Sequence, residues 1–434
     1  MYPSANNQKF GKALTVLTSL FFMWGLITSL NDILIPHLKA IFSLSYLQAA
    51  LIQFCFFTAY FVVSFPAGFI IRKIGYKRGI VAGLVTAGVG CLLFYPAAGA
   101  QSYVFFLSAL FILAGGITFL QVAANPYVTA LGNPDTASSR LNLTQAFNSL
   151  GATLGPLLGA VTILAVNTES GSNTVSNLAT QAASVQTPYL VLTGVLFALA
   201  AAIWLIRLPV IQEVDESADQ QAGAHASHQG KQSVWAYRHL VLGALGIFAY
   251  VGAEVGIGSF LVSLMGQPQI AGLTAESAGK YLAIYWGGAM VGRFVGSALM
   301  TRINPARMLA FNALVNVLLI GAAMMLGGHI AMWALIVVGF FNSIMFPTIF
   351  SLALKGLGRF TSEGSGILCM AIVGGAIVPV IQAYFADRMG ILASFAVPLV
   401  CYLYIVYFGA RGHRVQDEQS AAEIGAIAVS PAKG

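Results

Sequence analysis

Long apolar stretches follow one another along almost the whole chain, broken only by short polar interruptions. A stretch of about 20 apolar residues is long enough to cross a hydrocarbon core of roughly 30 Å. In lipid the backbone must satisfy its own hydrogen bonds, which leaves helices or closed barrels. A barrel would alternate in segments of about ten residues, whereas these runs are continuous and longer. The pattern predicts helices over 12–38, 46–71, 78–98, 103–131, 140–166 and 187–209. A second set follows over 236–265, 277–301, 306–327, 330–354, 362–386 and 390–410. The fold class expected is an all-α membrane protein with twelve transmembrane helices in two six-helix bundles.

Polar positions divide the chain. Residues 211–235 carry Glu213, Asp215, Glu216, Asp219, His225 and His228 among Ala, Gly, Ser and Gln, a composition that cannot build a core. They read as a solvated linker between an N-terminal bundle (1–210) and a C-terminal bundle (236–410), with a tail over 411–434. His225 and His228 in such a segment point to no metal site. The halves echo one another: Asn125-Pro126 precedes Leu131-Gly132 in the fourth span, and Phe346-Pro347 precedes Gly356-Leu357-Gly358 in the tenth. Six plus six helices with repeated signals predict a central pathway with a site near the midplane.

Composition agrees. Of 434 residues 58% are hydrophobic and only 8% charged, against about 25% charged in a soluble domain. The net charge of +7 is explained by a topology, not by nucleic acid. Placing both termini in the cytoplasm collects Arg72, Lys73, Lys77, Arg78, Arg302, Arg307, Lys355 and Arg411 inside and leaves Lys39, Lys280 and Arg388 outside. Cys55, Cys91, Cys369 and Cys401 are scattered singly, with neither metal nor disulfide spacing. No His/Glu metal motif or phosphate-cradling loop is present, so neither cofactor nor enzyme chemistry is expected.

The chemistry is confined to a few intramembrane positions. Asp32 and Glu254 fall within spans, while the other acids, Glu363 among them, fall in loops, in the tail or at span ends. A central carboxylate costs roughly 2.5–3.5 kcal/mol on insertion scales, so it faces a cavity or a partner. It either ties helices together or titrates as its exposure changes. Arg293 either guards the cytoplasmic side or snorkels to the interface. Gln121 and Asn125 share one helical face, and Asn142, Gln145 and Asn148 follow on the next helix. Such amides either glue helices or meet the hydroxyls of a sugar. Trp24, Phe260, Trp286 and Phe346 are candidates for the apolar faces of that ligand.

Four blocks carry a family resemblance: Asn31-Asp32-Ile33-Leu34-Ile35-Pro36, Ala123-Ala124-Asn125-Pro126, Arg140 through Ser149, and Phe346 through Leu352. Over nearly all the spans the chain resembles the fucose–proton symporter family of the major facilitator superfamily, including its glucose/galactose branch. The resemblance implies a proton-coupled hexose symporter working by alternating access in a bacterial inner membrane. In that family Asp32 corresponds to the carboxylate of proton coupling, and Trp24, Asn125, Gln145 and Asn148 lie in or beside the sugar cavity. The chain also departs from the fucose carriers. Gln121 stands in place of a fourth-helix carboxylate and Glu254 in place of a seventh-helix amide. Ser29 replaces an Asn, Phe346 replaces a Tyr, and Arg72 stands where the superfamily commonly has an Asp after Gly68. The resemblance thus implies that one cavity charge has changed bundles. The expected partners are a sugar, the lipid bilayer and a coupling proton, with no nucleic acid and a monomeric carrier. Na⁺ coupling is the alternative, and multidrug export a third reading that the amide-rich cavity disfavours.

Overall fold

A computed structural model describes residues 4–41, 46–100, 102–159, 186–206, 208–209 and 233–415. Most of the predicted linker and the tail from 416 onward lie outside the described residues. Twelve helices are described: α1 (Ser4–Ile41), α2 (Tyr46–Ile74), α3 (Tyr76–Ala100), α4 (Tyr103–Ala130), α5 (Ala137–Gly159) and α6 (Gln186–Leu205). They continue as α7 (Arg238–Met265), α8 (Ala275–Leu299), α9 (Pro305–Leu326), α10 (Gly328–Leu354), α11 (Gly358–Met389) and α12 (Ile391–Gly412). Ten are long and apolar enough to cross a membrane; α5 and α8, which carry more polar residues, complete the set.

Boundaries follow local chemistry. Ser102 caps α4 by accepting from Phe105 N, and Thr274 caps α8 by accepting from Ser277 N. Asn304 caps α9, where Pro305 occupies the first turn and needs no N–H partner. That helix ends at Gly327, whose φ of +63° suits glycine.

In the first half α3 packs on α4 and α6, α2 on α4, and α1 on α5. In the second, α7 packs on α11, α8 on α10, and α9 on α10 and α12. The contact of α1 with α5 is made backbone to backbone. A Cβ at Gly25 would overlap the Asn148 carbonyl oxygen, and one at Gly151 would overlap that of Phe22. Small residues let membrane helices approach this closely, where dispersion replaces the missing hydrophobic drive.

Prolines open two helices at related places. Pro126 on α4 has no N–H for the carbonyl of Val122, and Pro347 on α10 has none for that of Ser343. In the first case the hydroxyl of Ser365 on α11 donates instead, at 2.8 Å. In the second, α10 breaks between Asn342 and Met345, and Arg293 Nε on α8 donates to Ser343 O at 3.0 Å. The sequence echo between the halves is therefore a pair of freed carbonyls.

The halves close on each other at the end of the bundle that carries Arg72, Lys73, Arg302, Arg307 and Arg411. Ser138 and Ser351 share a hydrogen bond at 2.7 Å, Ser139 Oγ donates to Ser297 O at 2.7 Å, and Ser297 Oγ returns a bond to Ser139 O at 2.8 Å. Asn142 Nδ2 reaches Thr348 Oγ1 at 3.2 Å. Arg72 on α2 is paired with Glu363 on α11. Glu363, expected at a span end, does begin the α-helical part of α11 but is buried there. Arg72, at the position where the superfamily commonly has an acid, thus meets its acid on the other half.

Gly25→Ala is expected to force α1 and α5 apart and to lower the melting temperature in detergent, in line with an overpacking cost of about 1–3 kcal/mol. Gly99→Ala, where nothing lies within 4 Å of the new methyl, is the matched control and should leave the melting temperature unchanged.

Candidate functional site

Above the sealed end the halves part around a cavity of about 310 Å³. Trp24 and Thr28 face it from α1, one turn apart on a continuous helix. From α2 come Gln53, Phe56, Phe57 and Tyr60, a single face at i, i+3, i+4 and i+7. Gln121 reaches it from α4 and Gln145 and Asn148 from α5. The second half contributes Tyr250 and Glu254 from α7, Arg293 from α8 and Phe346 from α10.

Glu254 and Arg293 form its polar centre. The Tyr250 hydroxyl donates to Glu254 Oε1 at 2.6 Å, and Arg293 Nη2 stands 3.8 Å from the same oxygen. Both charged side chains are about 15% exposed, so the pair is largely withdrawn from solvent without being sealed in. Besides Ser343 O, the guanidinium binds the hydroxyl of Ser149 on α5. Arg293 thus joins the two halves directly beneath the carboxylate, which rules out snorkelling to the interface. Its anchor is itself held. Asn342, the last residue before the break in α10, donates to Tyr285 OH at 2.8 Å and accepts from Tyr402 OH at 2.5 Å and Asn316 Nδ2 at 3.1 Å. Four helices of the second half meet at that amide.

The amides of the first half are less complete. Asn148 Nδ2 donates to Phe21 O at 2.9 Å. Gln121 Oε1 and Gln145 Nε2, both buried, have no hydrogen-bond partner among the described residues. Both residues line the cavity, and a buried amide atom without a partner carries a desolvation cost of about 1–3 kcal/mol. Once those side chains turn toward the cavity, a ligand rich in hydroxyls suits both, because each hydroxyl donates and accepts.

The expected site residues are not all together. Trp24, Gln121, Gln145, Asn148, Glu254, Arg293 and Phe346 share the cavity. Asn125 lies one turn nearer the sealed end, fully buried, with neither amide atom bonded among the described residues. Asn142 is likewise below the cavity, in the seal. Trp286 is exposed and packs edge-on to Tyr285, and neither it nor Phe260 lines the cavity. Asp32 falls within α1, but its side chain lies outside the described residues. The face of α2 and Tyr250 were missed. Gln53, the one amide in the apolar run from 51 to 63 with Phe56, Phe57 and Tyr60 at helical spacing, was the available signal.

The Major Facilitator Superfamily model matches residues 16–368. The glucose/galactose transporter of Brucella abortus biovar 1 (strain 9-941) is 55% identical over 411 residues, spanning 95% of this chain and 96% of that protein. The L-fucose-proton symporter of Escherichia coli (strain K12) is 36% identical over 403 residues, spanning 91% of each. The crystal structure of the superfamily transporter FucP in the outward conformation superposes with a TM-score of 0.84 at 35% identity, covering 94% of this chain and all of the other.

Cysteines placed on this surface should report its geometry. With Cys55, Cys91, Cys369 and Cys401 replaced by Ala, Gln121→Cys is expected to react with a hydrophilic thiol reagent much faster than Asn125→Cys. Adding Glu363→Gln, which unpairs Arg72, should raise labelling of Asn125→Cys. Equal rates at positions 121 and 125 in the parent background would contradict the cavity floor described here.

Proposed function

Because the chain belongs to the Major Facilitator Superfamily, we propose that it is a hexose–proton symporter that takes up a sugar of the glucose, galactose or fucose kind by alternating access. The observation that carries this reading is the cavity at the junction of the halves, with the amides of Gln121, Gln145 and Asn148 on one wall and a carboxylate with a guanidinium on the other. The names of the relatives favour a sugar and a proton.

Gln121, Gln145 and Asn148 orient the sugar through its hydroxyls, and Trp24 and Phe346 cover its C–H faces. Glu254 accepts hydroxyl hydrogen bonds with the capacity that Tyr250 leaves, and serves as a second proton site. Asn125, one turn below, joins the site when the halves part at the sealed end. Asp32 takes the coupling proton. Arg293 is the gate, because opening the sealed end must release its bond to Ser149.

The excess of Lys and Arg at the sealed end puts that end, and both termini, in the cytoplasm of a bacterial inner membrane. The cavity then faces outward. The bundles of 1–210 and 236–410 rock against each other about the site, joined by the linker over 211–235. One chain supplies every wall of the cavity, so a monomer suffices.

Reconstitution in proteoliposomes tests the reading with a panel of sugars, varying the pH and Na⁺ gradients separately. Uptake should follow an inward proton gradient at zero Na⁺; uptake that requires Na⁺ at fixed pH assigns coupling to the other ion. Asp32→Asn should abolish concentrative uptake and spare counterflow, since a neutral amide imitates a protonated carboxylate. Undiminished concentration by that variant would remove Asp32 from the coupling role.

Glu254→Gln has a separate expected outcome. It should weaken sugar binding by about tenfold, the loss of one charge-assisted hydrogen bond at roughly 1.4 kcal/mol, as read by quenching of Trp fluorescence. Unchanged affinity would assign Glu254 to the Arg293 contact alone.

A further inference from the structure

A second cavity, of about 360 Å³, lies away from the sugar site on the flank of the second half, between α8, α9 and the middle of α10. Val295 and Leu299 of α8 and Phe311 of α9 form its sides, and all three are exposed. Phe340 and Ser343 of α10 form its floor. From Gly292 to Leu299 the groove rises about 10 Å along α8, a large part of one leaflet's hydrocarbon depth.

Its walls are almost wholly apolar. The polar side chain of Asn312 in its lining already donates to Phe341 O, at 3.2 Å. Water finds few partners there, yet the space is many times the roughly 30 Å³ that one water occupies in the liquid. Left empty, it would forfeit the dispersion contacts of every side chain along it. At this depth in a membrane, the medium that fills such a cleft is an acyl chain.

The mouth of the groove is chemically different. Arg307 lines it at the basic end, exposed, and Arg302 is exposed in the turn just before α9. Neither has a carboxylate within 4.0 Å among the described residues. A guanidinium offers a planar fork matched to phosphate oxygens. Two guanidiniums near one mouth, without a carboxylate partner among the described residues, favour a headgroup with net negative charge over one that brings its own ammonium.

We propose that this groove is a binding site for one anionic phospholipid, with an acyl chain along Val295, Leu299 and Phe311 and its phosphate on Arg307. Ser343 in the groove floor is the residue whose carbonyl holds Arg293. The lipid therefore lies against the back of the gate while touching none of the groups that meet the sugar. The site rests on the membrane topology and not on the identity of the transported sugar.

Native mass spectrometry of the purified full chain, titrated separately with dioleoylphosphatidylglycerol and dioleoylphosphatidylcholine, tests it. The parent should retain the anionic lipid in preference. Arg307→Gln should lower that retention about fivefold, the effect of one cation near a membrane surface, and leave the zwitterionic lipid unaffected. Val295→Trp, which fills the groove, should lower anionic-lipid retention without removing a charge. Arg411→Gln, at the same end but outside the groove, should match the parent. Equal retention of the two lipids by the parent overturns the site. So does parental behaviour of Arg307→Gln, or an equal loss in Arg411→Gln. If Val295→Trp fails to fold, Arg307→Gln decides alone, since it changes only an exposed side chain.

Discussion

A helix in lipid has to satisfy every backbone carbonyl from inside the protein, and Pro126 and Pro347 each leave one unsatisfied. The remedies shape the molecule. Val122 takes its hydrogen bond from Ser365 of the opposite half, and Ser343 takes one from Arg293. Neither donor is local. Each freed carbonyl thus ties distant helices together, and the second draws a guanidinium into the interior of the bundle, where it meets Glu254 and Ser149. The polar centre of the cavity follows from a missing N–H.

What holds that centre is mostly on the second half. Tyr285, Asn316 and Tyr402 fix Asn342 beside the break, so the Ser343 carbonyl has a defined position and Arg293 a defined reach. The first half presents Gln121 and Gln145, each with one amide atom that has no partner among the described residues. One wall is charged, and the other is lined by neutral amides.

Much of this was legible in the sequence. Apolar length gave the helices, and the low charge content isolated Glu254 and Arg293 because a buried charge stands out where charges are scarce. Gln121, Gln145 and Asn148 were visible for the same reason. Asn125 looked equivalent to Gln121, since both lie on one face of α4. A single turn separates cavity from seal, however, and periodicity does not encode depth. The Phe56, Phe57 and Tyr60 face was hidden because aromatics at helical spacing also pack cores or face lipid. Glu363 read as a span-end acid; its burial depends on α2 crossing α11, a tertiary fact. The Arg293 contact to Ser149 was equally invisible, because a serine in a membrane helix carries no mark of what will meet it.

The seal at the basic end is built almost entirely of neutral hydroxyl and amide bonds, from Ser138 to Ser351, Ser139 to Ser297 and Asn142 to Thr348. The ion pair of Arg72 with Glu363 across it sums to zero charge. A membrane potential does work only on charge that moves through it, roughly 2.3 kcal/mol per elementary charge per 100 mV. Parting such a seal displaces almost none. The electric field therefore has little to grip in those contacts, and voltage acts on this molecule through the Arg293 guanidinium and whatever charge enters the cavity.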